Sequence, residues 1–217
     1  MRCVFDWRTK KGQSRIMNMD FIKNESIKEK MLFTKKFVQC PRTIGSIVPS
    51  SSYLTESILS NINWCEVSSI VELGAGTGVF TRQIIQRLEN KAKLFIFEIE
   101  PELRANLQAE TQMEIYSDAV KLPQILESAG IIHVDLVISS LPYAVLPREM
   151  TDSILRGVVK SMGQDGTFIA YQYSLQMKAL FARIFKNVDV RFVTFNLPPA
   201  FVYECKGLLK SEYLEER

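Results

Sequence analysis

Ile70-Val71-Glu72-Leu73-Gly74-Ala75-Gly76-Thr77-Gly78 runs an apolar segment straight into three alternating glycines, and Val79-Phe80-Thr81 follows at once. A short apolar run closed by glycine reads as a buried strand, and the residues after it take up helical spacing. Glycines at such a turn let the backbone bend tightly and approach a nucleotide-like ligand without interference from Cβ atoms. The spacing does not fit a dinucleotide fingerprint, because Gly-Ala-Gly-Thr-Gly is not GxGxxG.

Outward from this turn, short apolar runs alternate with helical-period segments, which predicts repeated βα units and a mostly parallel sheet. Candidate strands are Ile70 to Leu73, Leu94 to Glu98, Glu114 to Tyr116, Val134 to Ser139, Thr167 to Tyr173, Val188 to Phe195 and Phe201 to Cys205, seven in all. Helices are expected near Thr81 to Leu88, Pro101 to Ala109, Lys121 to Ser128, Arg148 to Ser161 and Leu175 to Phe185. The first strands are too continuously apolar for one exposed face, so helices should cover both sides of the sheet. Only Pro198-Pro199 and a few neighbours connect the last two strands, which predicts antiparallel pairing at one edge.

The chain has 217 residues, enough for one domain with a sizeable core. No apolar run approaches the roughly 20 residues that span a bilayer, and the N-terminus has no secretion signal. Cys3, Cys40, Cys65 and Cys205 are far apart with no CxxC pair, so neither a metal site nor a disulfide framework is suggested and a cytoplasmic setting is expected. Net charge is +3 but uneven: residues 1 to 42 carry 11 Lys and Arg against 4 Asp and Glu, leaving an acidic remainder. The chain therefore divides into a basic leader, 1–42, and a sheet-bearing domain, 43–217. Met17 and Met19 are alternative starts within the leader. A helix from about Ser26 to Val38 sets Ile27, Met31, Phe33, Phe37 and Val38 on one arc and Lys28, Lys35 and Lys36 opposite, although Lys30 intrudes on the apolar side. Such a helix either packs on the domain or docks on an anionic surface, a membrane interface or a nucleic acid.

The glycine loop resembles the E-x-G-x-G-x-G loop of class I S-adenosylmethionine-dependent methyltransferases, whose Rossmann-like α/β sheet agrees with the seven-strand pattern. Glu98 ends the next strand, where a carboxylate accepts hydrogen bonds from ribose hydroxyls. Ile99 follows and could pack on an adenine, while Asp118, beside Ala119 after the third strand, offers an acceptor for its amino group. The fourth strand ends in Ser139-Ser140-Leu141-Pro142-Tyr143 at the carboxyl edge, where open α/β sheets bind substrate. That turn resembles the Asn-Leu-Pro-Tyr of rRNA adenine dimethyltransferases, with Ser140 in place of the Asn. Those enzymes also carry a helical C-terminal domain, for which the dozen residues after the last strand leave no room.

A wider resemblance covers about Phe33 to Cys205. Pro41-Arg42-Thr43-Ile44-Gly45-Ser46-Ile47-Val48-Pro49-Ser50-Ser51, the glycine loop, the turn with its second Leu146-Pro147 pair and Tyr171-Gln172-Tyr173-Ser174 are similar to the bacterial phospholipid N-methyltransferase family. That family methylates phosphatidylethanolamine stepwise and meets the membrane through an N-terminal amphipathic helix, so the resemblance implies a protein peripheral on the inner membrane face. It further implies cofactor contacts at Ser46, Glu72, Gly74, Ala75, Gly76, Thr77, Gly78, Glu98, Ile99, Asp118, Ala119, Ser139 and Leu141. Ser140 and Tyr143 then lie at the acceptor. A small-molecule N- or O-methyltransferase, a nucleic-acid methyltransferase and a non-catalytic binding module remain alternatives, because the glycine loop does not distinguish acceptors.

Methyl transfer from a sulfonium is an in-line displacement, so alignment and exclusion of water are the protein's main tasks. No metal is required. His133, the single histidine, falls at the amino end of a strand and reads as structural. Tyr143, Tyr171 and Tyr173 are the aromatic candidates for holding an ammonium head group, with Tyr143 favoured.

Overall fold

The computed structural model describes residues 50–88, 92–194, 196 and 198–209. Ser46, Cys3, Cys40 and the basic helix expected from Ser26 to Val38 lie outside the described residues.

Helix α1 (Ser50–Leu59) precedes five βα units and a closing hairpin: β1 (Ser69–Leu73), α2 (Val79–Arg87), β2 (Lys93–Phe97), α3 (Pro101–Thr111), β3 (Ile115–Tyr116), α4 (Leu122–Ser128), β4 (Val134–Ser139), α5 (Arg148–Ser161), β5 (Met162–Gln172), α6 (Lys178–Ile184), β6 (Phe185–Val193) and β7 (Ala200–Leu208). The seven strands stand in the order β3-β2-β1-β4-β5-β7-β6. Strands β1 to β5 pair in parallel; β7 lies between β5 and β6 and runs antiparallel to both. The antiparallel pair expected at one edge is thus present, with β7 bonding β6 on one side and β5 on the other.

Alternation along the strands sorts the core onto the two faces. Ile70, Leu136, Ile138 and Ile169 point toward Leu54, Ile58 and Leu59 of α1 and Phe80 and Ile84 of α2. Val71, Leu73, Val137 and Phe168 point the other way, toward α4, α5 and α6. All five residues of β1 are buried, and each large aliphatic side chain so removed from water contributes about 1.5–3 kcal/mol. Helix ends follow local chemistry: Pro101 opens α3 with Glu102 in its first turn, and Gln112 closes it in the left-handed region.

Strand β5 begins five residues before the expected Thr167. The ladder steps from Val134↔Met162 to Leu136↔Thr167, a bulge that absorbs Gly163 and Gly166. A Cβ on Gly166 would stand 3.0 Å from the Val134 carbonyl oxygen, so glycine is what permits the approach. Helix α6 is likewise shorter than expected, and β6 starts at Phe185 directly after it.

His133 sits at the amino edge, where its carbonyl accepts the Ser69 hydroxyl. Of the described cysteines, Cys65 is exposed and Cys205 is buried; burial pushes the Cys205 thiol well above its ordinary pKa. No helix among the described residues is long and apolar enough to cross a membrane.

Candidate active site

The candidate site lies at the carboxyl tips of β1 to β5. Gly74, Gly76 and Gly78 have φ of 82°, 59° and 81°, so the loop after β1 turns through the left-handed region at every second residue. The amides of Gly74 and Ala75 both donate to the Phe97 carbonyl, at 2.8 and 3.0 Å, fastening the loop to β2. A Cβ on Gly74 would lie 3.0 Å from Leu141 Cδ2, and one on Gly78 would lie 2.5 Å from Leu107 Cδ1. At Gly76 the nearest atom would be 4.0 Å away, so this glycine leaves an open cradle.

The Ala75 side chain packs inward with Ile96, Leu107 and Ile115, so only its backbone faces the loop. The Thr77 carbonyl accepts from Arg82, whose guanidinium also grips Glu110 of α3 through both carboxylate oxygens. Arg82 and Glu110 are half-exposed, and screening keeps the pair's contribution small. Their place in the loop went unread in the sequence, because a surface Arg 28 residues from its Glu leaves no local signal.

Glu72 and Glu98 stand at neighbouring strand ends and both are buried. The Glu98 carboxylate accepts the Gly76 amide at 2.6 Å and the Glu100 amide at 2.8 Å. Glu72 Oε2 accepts the Thr81 hydroxyl at 2.7 Å, while Oε1 is buried without a partner. Burial, with a smaller repulsion from Glu98, pushes the Glu72 carboxyl up from 4.5 to about 7 despite the Thr81 bond. Beyond β2 and β3, Ile99 is 45% exposed. Asp118 Oδ1 caps the short 3-10 turn Ala119–Lys121 by accepting the Val120 amide at 3.0 Å.

After β4, the Ser140 amide donates to the Leu73 carbonyl at 2.8 Å, tying this turn to the glycine loop. Ser139 is buried, with its hydroxyl 2.8 Å from the Tyr143 hydroxyl. Tyr143 is 3% exposed and meets Phe181 edge-to-face, with ring centroids 6.0 Å apart. Tyr143, expected at the acceptor, thus has its ring tucked into the core and its phenol against Ser139. Leu141 is buried and set against Gly74.

Gln172, which the sequence did not single out, is buried and donates to the Leu141 carbonyl at 2.8 Å, joining the end of β5 to the β4 turn. Tyr171 and Tyr173 flank it on the opposite sheet face, both half-buried. Tyr171 stacks on Phe80 at 5.7 Å and meets Tyr173 at 6.3 Å with the rings 82° apart. Among the described residues no group of three or more His, Cys, Asp or Glu is placed to hold a metal ion.

No family model matches the chain. The ornithine lipid N-methyltransferase of Singulisphaera acidiphila is 32% identical over 191 residues, covering 85% of this chain and 100% of that protein. Among solved structures, N-methyltransferase NodS from Bradyrhizobium japonicum matches with a TM-score of 0.57 at 11% identity, over 73% of this chain and 97% of that one. TrmN from Thermus thermophilus matches at 0.52 and 13% identity over 72% of this chain, which spans about half (48%) of TrmN. At those identities the two structures speak for the fold alone.

A Rossmann-like sheet with this glycine loop, in a chain so related to a methyltransferase, defines an S-adenosylmethionine-dependent methyltransferase. The chain belongs to the family of the ornithine lipid N-methyltransferase, whose whole length it matches. Two features of the site fit the cofactor: the open cradle at Gly76, and the partnerless buried Glu72 oxygen, which suits a cationic ligand.

Proposed function

We propose that this enzyme methylates the amine of a membrane-lipid head group. The observation that carries the reading is the 32% identity to an ornithine lipid N-methyltransferase along that protein's whole length. An ornithine lipid is accordingly the first candidate acceptor. Phosphatidylethanolamine is the second, supported by the sequence resemblance through Ser139-Ser140-Leu141-Pro142 and Tyr171-Gln172-Tyr173. Both acceptors present a primary amine on a lipid at a water interface.

When bound, S-adenosylmethionine supplies an electrophilic methyl group. In this proposal the loop from Glu72 to Gly78 holds its methionyl part, with backbone at Gly74, Ala75 and Thr77 and the open side at Gly76. Glu98 accepts from the ribose, Ile99 and Ala119 line the adenine, and Asp118 Oδ2 takes its amino group while Oδ1 keeps its cap. Ser139 and Leu141 shape the floor, and the Ser140 hydroxyl faces the acceptor. The chain aligns the amine lone pair with the methyl carbon and keeps water out. Ser46 and the leader 1–42, net +7, are assigned to the cofactor and to an anionic membrane surface; the leader's charge supports the latter.

The test incubates purified full-length protein with methyl-labelled S-adenosylmethionine and liposomes containing ornithine lipid or phosphatidylethanolamine, with and without anionic lipid. Lipid products are then resolved by mass. Methylated head groups support the proposal and decide between the lipids. Intact cofactor binding with no labelled lipid would sink it in favour of a small amine or a nucleic acid.

A further inference from the structure

The geometry points to the Tyr171–Tyr173 pair as the receptor of the acceptor's ammonium group, an aromatic corner that holds the amine as methyl groups accumulate on it. This inference rests on the proposed amine acceptor and adds the side chains that select it.

Three observations converge. The pair lies at the carboxyl end of β5, one residue beyond the Ser139↔Ala170 register, directly beside the β4 turn. The rings stand 82° apart with centroids 6.3 Å from one another, so two aromatic surfaces meet nearly at right angles. Tyr171 is stacked on Phe80, with ring centroids 5.7 Å apart. The corner is pre-organised, as a cation-binding aromatic site must be.

The same sheet face carries an uncompensated acceptor. Glu72 is level with Ile138 and Ile169 in the ladder, acts electrostatically on Tyr171, and keeps Oε1 buried without a partner. Cation–π attraction survives methylation, because it needs no N–H donor, whereas a hydrogen-bonding site loses one donor with each methyl added. An aromatic corner therefore holds mono- and dimethylated intermediates without relying on N–H donors.

The experiment titrates choline and its neutral carbon isostere, 3,3-dimethylbutan-1-ol, into full-length protein saturated with S-adenosylhomocysteine, by calorimetry. Wild type should prefer choline by about tenfold. Tyr173→Leu should abolish the preference, and Tyr173→Phe, which keeps the ring, should retain it. Melting temperature and S-adenosylhomocysteine affinity establish that each variant is folded. Equal binding of choline and isostere by wild type, or an unchanged preference in a folded Tyr173→Leu protein, overturns the assignment. A choline preference lost in Tyr173→Leu supports the corner even where no lipid is methylated, an outcome that overturns only the lipid reading. Lipid methylation without any choline preference overturns only the corner.

Discussion

The Glu98 carboxylate accepts the Gly76 amide at 2.6 Å, so the acid at the tip of β2 braces the loop at the tip of β1. In the proposed cofactor site the same side chain both shapes the loop and accepts from the ribose. Glu98→Gln replaces a charged acceptor by an amide that offers only one oxygen. Affinity for S-adenosylhomocysteine should fall by about tenfold or more, as expected for loss of charge-assisted bonds. Calorimetric titration measures it, and unchanged affinity would remove Glu98 from the cofactor site.

Gly76 separates folding from binding. Its φ of 59° is one an alanine adopts at a cost of about 1–2 kcal/mol, and the added Cβ meets nothing closer than 4.0 Å. Gly76→Ala should therefore fold with a modest loss in urea midpoint but bind S-adenosylhomocysteine poorly. Gly78→Ala, whose Cβ would meet Leu107 Cδ1 at 2.5 Å, should lose more stability, about 2–4 kcal/mol.

Glu72 should make both stability and, in the proposed cofactor site, cofactor affinity depend on pH. Its folded pKa is raised from 4.5 to about 7, so the bound proton favours the fold. Stability from this group is fully present below pH 4.5, is lost between 4.5 and about 7, and is flat above. The loss is on the order of 3 kcal/mol. A cationic ligand favours the ionised form, so S-adenosylmethionine affinity should rise between pH 6 and 8. Glu72→Gln should stabilise the free protein at pH 8 and flatten that rise; denaturation and titration across this range read the two effects separately.

Tyr143→Phe removes the hydroxyl bonded to Ser139 while the ring stays against Phe181. A stability loss of about 1 kcal/mol is expected from the buried bond, with the Michaelis constant for the acceptor little changed. A large rise in that constant, with the melt unaltered, would return Tyr143 to the acceptor site.

Much of this architecture was legible because the signals are local. The apolar run 70–73, the glycines at 74, 76 and 78, and Pro101 each announce their element within a few residues. What escaped was long-range. Whether the Tyr143 ring points outward or inward depends on Phe181, on a helix 38 residues away. Gln172 acquires its task only when β5 lies beside the β4 turn, and the glycines of 163–166 fall within β5 as the residues of a bulge that the β4 ladder skips. Alternation did place Tyr171 and Tyr173 on one face, but their mutual angle is a property of the packed chain.

Gly74 closes against Leu141, Leu141 is bonded to Gln172, and Gln172 is the residue between the two tyrosines. Together these contacts form a strut from the glycine loop across the β4 turn to the end of β5, which in the proposed assignment spans the donor and acceptor sides. Displacement at carbon tolerates only a narrow range of separation, so the strut acts as a gauge block for the reaction. Under that assignment, shifting the strut at any of the three positions should lower turnover.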